Sequence, residues 1–253
     1  MKLLRYSIIF LVISLASFLV SSLVFAAESE IKLDKANINL NDKEAIKRGA
    51  ILFTQYCLSC HSAAYMRYSR IGEDLGMTNE QVTKELIRTG AKVGDTMTVT
   101  MDPKDAKRWF GNPPPDLSVI ARARGVDWLY TYLRSFYKDD SRPWGVNNAV
   151  FKDVAMPDVL WELQGLQAAN KEKIVDKDGT EREVITGFKL IEKGKLTPKQ
   201  YDAAVHDLVT FLAYLGEPSK LQRLALGKWV ILFLAIFLVI VYLLKKEYWK
   251  DIH

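Results

Sequence analysis

Both cysteines of this chain fall within one five-residue run, Cys57-Leu58-Ser59-Cys60-His61. A C-x-x-C-H run is the attachment pattern of a c-type haem. Each thiol bonds one vinyl group of the porphyrin, and a two-residue spacer on a helical turn sets both sulfurs along one edge of the ring. His61 then falls beneath the iron as an axial ligand. A chain built this way must wrap a pocket around a rigid disc, so the chemistry belongs to the cofactor and the protein binds and tunes it. A local disulfide, a redox pair or half of a zinc site are the other readings of two cysteines so spaced. Zinc asks for about four ligands, and beyond His61 only His206 and His253 remain. A thioredoxin-like pair would sit in strand–helix alternation, which the flanking sequence lacks.

Two apolar segments bound the rest. Lys2 and Arg5 begin the chain, residues 8–25 are almost wholly apolar or small, and Val24-Phe25-Ala26 offers a cleavage site before Ala27. Residues 1–26 therefore read as a signal peptide. An uncleaved anchor is the alternative for so long a run. Either way the chain beyond is exported, as haem attachment to such cysteines requires. Residues 229–244 contain no charge, and with residues 224–228 they reach the length of about 20 needed to cross a bilayer. Lys228 can snorkel, while Trp229, Tyr242, Tyr248 and Trp249 suit the interfaces. A buried core helix would show an amphipathic flank, and none is present. Lys220, Arg223 and Lys228 before the span match Lys245, Lys246 and Lys250 after it, so the leader sets the orientation. The organisation expected is an exported haem domain over 27–223, a transmembrane helix over 224–244 and a cytoplasmic tail over 245–253.

Losing Lys2 and Arg5 with the leader lowers the net charge from +5 to +3, a balance that selects no partner. No basic stripe with interleaved aromatics appears, so nucleic acid is not an expected partner. The remaining residues, about 200, suffice for one domain.

Helices dominate that domain. One is predicted to start near Asn41, with Glu44 completing a capping box. Ile46, Ala50, Phe53 and Cys57 recur along it at helical spacing and bring Cys57 to the core face. A matching helix closes the domain. Thr197 caps it, Pro198 takes its first position, Gln200 completes a box, and Tyr201, Val205, Leu208, Leu212 and Leu215 form its apolar face before Gly216 and Pro218. Further helices are predicted over 79–89, 117–123 and 127–136. Residues 27–40 read as an extended lead-in and 111–116 and 140–148 as loops. Residues 170–195, turning at Asp176-Lys177-Asp178-Gly179, read as a surface β-hairpin insertion. The fold class expected is mainly α: a cytochrome c-like haem domain with long loops and a small hairpin, plus one transmembrane helix.

An iron held by His61 needs a sixth partner if it is to carry electrons without binding small molecules. Met66 lies too near His61 to reach the opposite face, which leaves Met77, Met97, Met101, Met156 and His206. Met156 is favoured, because the following Pro157 keeps it out of helical geometry and on an extended loop. Any one methionine can equally be a core filler.

Cys57-Leu58-Ser59-Cys60-His61-Ser62, Pro114-Pro115-Asp116-Leu117-Ser118, Arg122-Ala123-Arg124, Met156-Pro157 and a single C-terminal membrane helix, in that order, resemble the cytochrome c1 family. These are the haem-bearing subunits of the quinol–cytochrome c reductase, the cytochrome bc1 complex. The run from Met156 to Trp161 looks most like its proteobacterial branch. The resemblance implies one covalently bound haem c, with Met156 as sixth ligand opposite His61. Pro115 and Leu117 would line the ring, Arg124 would pair with a propionate, and Trp128 would wall the pocket. It implies no catalytic residue on this chain alone. One electron would arrive from a Rieske iron–sulfur protein and leave to a cytochrome c, and the membrane helix would pack beside cytochrome b. The haem domain would lie on the periplasmic side of the inner membrane. Lys152 and Asp158 depart from the pattern expected in the ligand loop, and 139–150 has no clear counterpart. The rival readings are a freestanding anchored cytochrome c serving an oxidase, a haem enzyme or gas sensor with an open sixth position, and an assembly subunit with an idle haem.

Overall fold

A computed structural model describes residues 31–250 apart from 100, 176–178 and 180. The leader 1–26, most of the hairpin turn and the last three residues of the tail, His253 included, lie outside the described residues.

Helix α1 (Lys43–Leu52) begins two residues later than expected. Asp42, not Asn41, is its cap, accepting from Ala45 N at 2.9 Å. The third residue past Asp42 is Ala45, which has no side chain to return the bond, so no capping box forms around Glu44. Asn41 is drawn instead into a local turn, its amide donating to Asn39. Over Phe53–Cys57 the helix widens into a π turn, in which Leu58 N reaches back five residues to Phe53 O at 3.0 Å. Such widening accommodates an extra residue and recurs at functional sites.

Strand β1 (Ala63–Arg67) leads into α2 (Tyr68–Leu75) and α3 (Asn79–Glu85), then pairs with β2 (Thr96–Met97). Helix α3 is shorter than the predicted 79–89, and Thr78 with Gln81 supplies its capping box. Helix α4 (Pro103–Phe110) follows, then α5 (Ile120–Arg124) and α6 (Val126–Arg134). Strands β3 (Phe136–Lys138) and β4 (Val146–Asn148) pair antiparallel, β3 taking over the end of the helix predicted over 127–136 and β4 the end of the loop expected over 140–148. After the one-turn α7 (Trp161–Gln164), β5 (Gly165–Val175) and β6 (Glu181–Lys193) form the hairpin, starting five residues before the predicted 170. The described residues are thus mainly helical, with three two-stranded sheets among them.

Helix α8 (Pro198–Gly216) follows its sequence signals closely: Thr197 and Gln200 form the box, and Tyr201, Val205, Leu208, Leu212 and Leu215 are buried. It packs against α1 at Gly49, where a Cβ would stand 2.1 Å from the Asp207 carbonyl oxygen. Phe53 and Phe211 meet at this crossing, their ring centroids 5.4 Å apart. Arg48 closes the edge by donating from Nε to Asp207 at 2.6 Å. Burying these large apolar side chains is what holds the two terminal helices together.

Helix α9 (Lys220–Tyr248) is of the opposite kind. None of its residues is buried, and its apolar window has a mean hydropathy of 2.7. Its 29 residues span about 43 Å at the ordinary helical rise, enough to cross a membrane. It overruns the expected 224–244 at both ends.

Candidate haem site

The C-x-x-C-H run forms a closed turn at the end of the π segment. Cys57 O accepts from both Cys60 N (3.1 Å) and His61 N (2.8 Å). Leu58 is buried, Ser59 is exposed, and Cys57, Cys60 and His61 face one cavity. The two cysteines are not joined to each other. Burial, reinforced by the neighbouring Cys60, pushes the Cys57 thiol up to about 12.

The segment 115–118 docks on this turn through four hydrogen bonds. His61 Nδ1 donates to Pro115 O at 2.7 Å, Leu117 N to Ser62 O at 2.7 Å, Ala64 N to Asp116 Oδ2 at 2.9 Å and Tyr65 N to Ser118 Oγ at 3.1 Å. Burial works against the Asp116 charge, but hydrogen bonds from Ser118 and Ala64 outweigh it and hold the carboxyl below its ordinary range. Burial also pulls the His61 imidazole down, against the opposing pull of Pro115 O and Asp116. A neutral ring whose Nδ1 proton is committed to a carbonyl leaves Nε2 as a free donor, the arrangement that metal-binding histidines adopt.

A second part of the cavity lining comes from α6 and the chain after β4. Trp128 and Tyr132, one turn apart on α6, stack with centroids 4.8 Å apart and planes 11° from parallel. Val154, Ala155, Met156 and Pro157 cross in front of them. Tyr132 donates from its hydroxyl to Met156 Sδ at 3.3 Å. Arg124 reaches the same cavity from the end of α5, its guanidinium 5.1 Å from the Trp128 ring centroid and 5.8 Å from that of Phe151. Among the described residues no carboxylate lies within ion-pair range of Arg124.

All eight residues singled out from the sequence, Cys57, Cys60, His61, Pro115, Leu117, Arg124, Trp128 and Met156, therefore line one cavity of about 360 Å³, within the range of cofactor sites. The competing sixth ligands do not. Met97 is buried in the core on β2, Met77 packs against that core, Met101 lies just before α4 and outside the cavity lining, and His206 lies beside Asp207 on α8. The donor set fits a haem: two thiols on one turn, an imidazole with Nε2 free, a thioether from a distant segment, and a cation with no counter-ion among the described residues. Sequence reasoning missed Tyr132 and Phe151, which belong to no motif and show their part only by position.

The loop carrying Met156 hangs on two buried amides. Asn148 accepts from Val150 N and Phe151 N through Oδ1 and donates from Nδ2 to Tyr132 O at 2.8 Å. Asn147 accepts from Asp153 N and donates to Asp139. Arg142 adds a bond to Asp153 O. The region 139–150, for which the motifs offered no counterpart, thus carries the scaffold of the loop that bears Met156. Asp158, whose carboxyl burial pushes up to about 6, turns the chain into α7 by accepting from Leu160 N.

Known proteins complete the picture. The Cytochrome C1 family profile matches residues 34–252. Cytochrome c1 of Allochromatium vinosum is 48% identical over 87% of this chain and 90% of its own length. The ammonia monooxygenase gamma subunit of Nitrosomonas europaea is 49% identical over 94% of this chain and 97% of its own. The cytochrome b/c1 of Bradyrhizobium diazoefficiens is 25% identical over 84% of this chain, which matches 34% of that longer protein. With the profile covering nearly the whole described chain, this protein belongs to the cytochrome c1 family, the haem-bearing electron-transfer subunits of cytochrome bc1 complexes.

Proposed function

We propose that this chain carries one covalently attached haem c, takes an electron from a Rieske iron–sulfur protein and passes it to a cytochrome c. The observation that carries this reading is the convergence of Cys57, Cys60, His61 and Met156, from segments about a hundred residues apart, on one cavity. The haem supplies a one-electron couple. Cys57 and Cys60 tether it, and His61, oriented by Pro115 O, ligates it through Nε2. Met156 closes the other side. A thioether donor and a pocket walled by Leu117, Trp128 and Phe151 both disfavour the extra charge of the oxidised state, so they raise the potential. Arg124 is free to meet a propionate with its planar fork. No residue has to make or break a bond.

The domain boundaries follow from the same reading: a leader over 1–26, an exported domain over 27–223, the membrane segment over 224–244 and a cytoplasmic tail over 245–253. The haem domain then stands on the periplasmic side of the inner membrane, with α9 beside cytochrome b. The printed name of the Nitrosomonas relative suggests a second reading, a subunit of a monooxygenase. Oxygen chemistry wants an open coordination position, and the placement of Met156 against Tyr132 favours electron transfer.

Mild-detergent purification through this chain tests the proposal. Co-purified b-type haem, a Rieske protein and inhibitor-sensitive quinol–cytochrome c reductase turnover are the expected result. A c-type haem recovered with a monooxygenase and no b-type haem would reverse the assignment. On the isolated chain, Met156→Ala is expected to make the reduced protein bind carbon monoxide, and an unaltered spectrum would remove Met156 from the ligand set.

A further inference from the structure

We propose that Tyr132 is a positioning residue for the sixth ligand: its hydroxyl holds one lone pair of Met156 Sδ, at 3.3 Å, leaving the other for the iron and raising the haem potential. The proposal rests on the reading of Met156 as that ligand.

A thioether sulfur has two lone pairs and is a weak acceptor, so a buried donor aimed at one of them fixes which is left for a metal. Both partners are held in place. The Tyr132 ring is stacked on Trp128 and meets Phe136 edge-on with centroids 5.1 Å apart and planes at 68°. Asn148, 1% exposed, donates to the main-chain oxygen of Tyr132 while gathering the amides of Val150 and Phe151 at the root of the ligand loop. One buried amide therefore ties the donor's helix to the acceptor's loop, and the hydroxyl–sulfur contact is built into the scaffold.

Two effects set the sign. A donor draws electron density from the sulfur, making it a poorer ligand for the electron-demanding ferric state. The positive end of the O–H dipole also points toward the ligand and disfavours added positive charge. Both favour the reduced form.

The test is an equilibrium redox titration of the full-length, detergent-solubilised holoprotein. Tyr132→Phe keeps the ring and removes the donor. It is expected to move the reduced-to-oxidised ratio about threefold toward the oxidised form, the scale of one lost hydrogen bond, or about 30 mV lower at 59 mV per tenfold. Fluorotyrosine placed site-specifically at 132, a stronger donor of nearly the same shape, is expected to shift the potential upward. Should Tyr132→Phe fail to assemble, the fluorotyrosine result decides alone. An unmoved potential overturns the proposal. Met156→Leu separates the two readings. If its spectrum is unaltered, the ligand assignment falls and this inference with it. If its spectrum changes while the Tyr132 variants leave the potential unmoved, only the hydrogen bond is refuted.

Discussion

The two walls of the cavity are built by different means. On the His61 side, main-chain bonds close the turn itself, through the π segment and the paired bonds to Cys57 O, and the bond from Leu117 N to Ser62 O joins the side chains of His61, Asp116 and Ser118 in docking 115–118 on it. On the Met156 side, seven residues after β4 reach the ligand loop with little regular structure, and the side chains of Asn147 and Asn148 take up its main-chain amides. A wall made of main-chain bonds tolerates exchange of most side chains. One hung on two amides depends on those two residues, and it is expected to open without the rest of the domain unfolding.

The largest effect is expected where the His61 wall is backed by the α1–α8 crossing. Gly49→Val places branched carbon where the Asp207 carbonyl already stands 2.1 Å from a Cβ, and Phe211 Cβ stands at 2.8 Å. The backbones must move apart, at a cost of about 3 kcal/mol or more. Guanidinium unfolding followed by circular dichroism is expected to show a lower midpoint at an unchanged slope. A midpoint equal to that of the wild type would mean that the crossing does not support the wall.

Asn148→Ala should come next and act locally. It removes the acceptor of the part-buried amides of Val150 and Phe151 and one donor to the Tyr132 carbonyl, which keeps its bonds from Ser135, a loss of about 2 kcal/mol. The expected signature is carbon monoxide binding to the reduced protein with the unfolding midpoint little changed. A fall in midpoint without carbon monoxide binding would show that the two walls unfold as one.

Asp116→Ala is the matching change on the His61 side. It removes the acceptor for Ala64 N and Ser118 N, yet the bonds from Leu117 N to Ser62 O and from His61 to Pro115 O remain. A loss of about 1–2 kcal/mol in the unfolding midpoint, with no carbon monoxide binding, is the expected outcome. Carbon monoxide binding as strong as in Asn148→Ala would erase the distinction between the walls.

The same contrast explains what was legible in the sequence. The attachment turn, the capping box of Thr197 and Gln200, the apolar stripe of α8 and the membrane helix are local patterns, each written within a few residues. The motifs also named the eight residues that line one cavity, Met156 among them. Asn148 and Tyr132 were not legible. An Asn in a Gly-, Pro- and Asn-rich stretch reads as a loop residue, and nothing local says that it is 1% exposed with two main-chain amides on its oxygen. Asn41 misled for a related reason. Asn and Asp are near-equal caps, and only the path of the chain gave the place to Asp42.

The smallest effect lies in acid. Asp139 accepts from the Ser141 hydroxyl at 2.6 Å and from Asn147 Nδ2 at 2.9 Å. The Ser141 hydroxyl first, and then Asn147, hold its carboxyl below the ordinary range. A depressed folded-state value means that the fold prefers the charged form. The stabilisation is fully present above the ordinary carboxylate pKa of about 3.9 and is lost as pH falls through the lower folded-state value. Burial pushes the Asp158 carboxyl, beyond Met156, up to about 6, in the opposite sense, so the quantity to follow is the difference between wild type and Asp139→Asn. Amide exchange at Asp153, whose N–H is held by Asn147, reports it. The protection difference is expected to stay constant from about pH 7 to pH 5 and to shrink only below about pH 4. A difference that closes at higher pH, or its absence throughout, would mean that Asn147 holds the ligand loop without help from Asp139, and that the Met156 wall hangs on its amides alone.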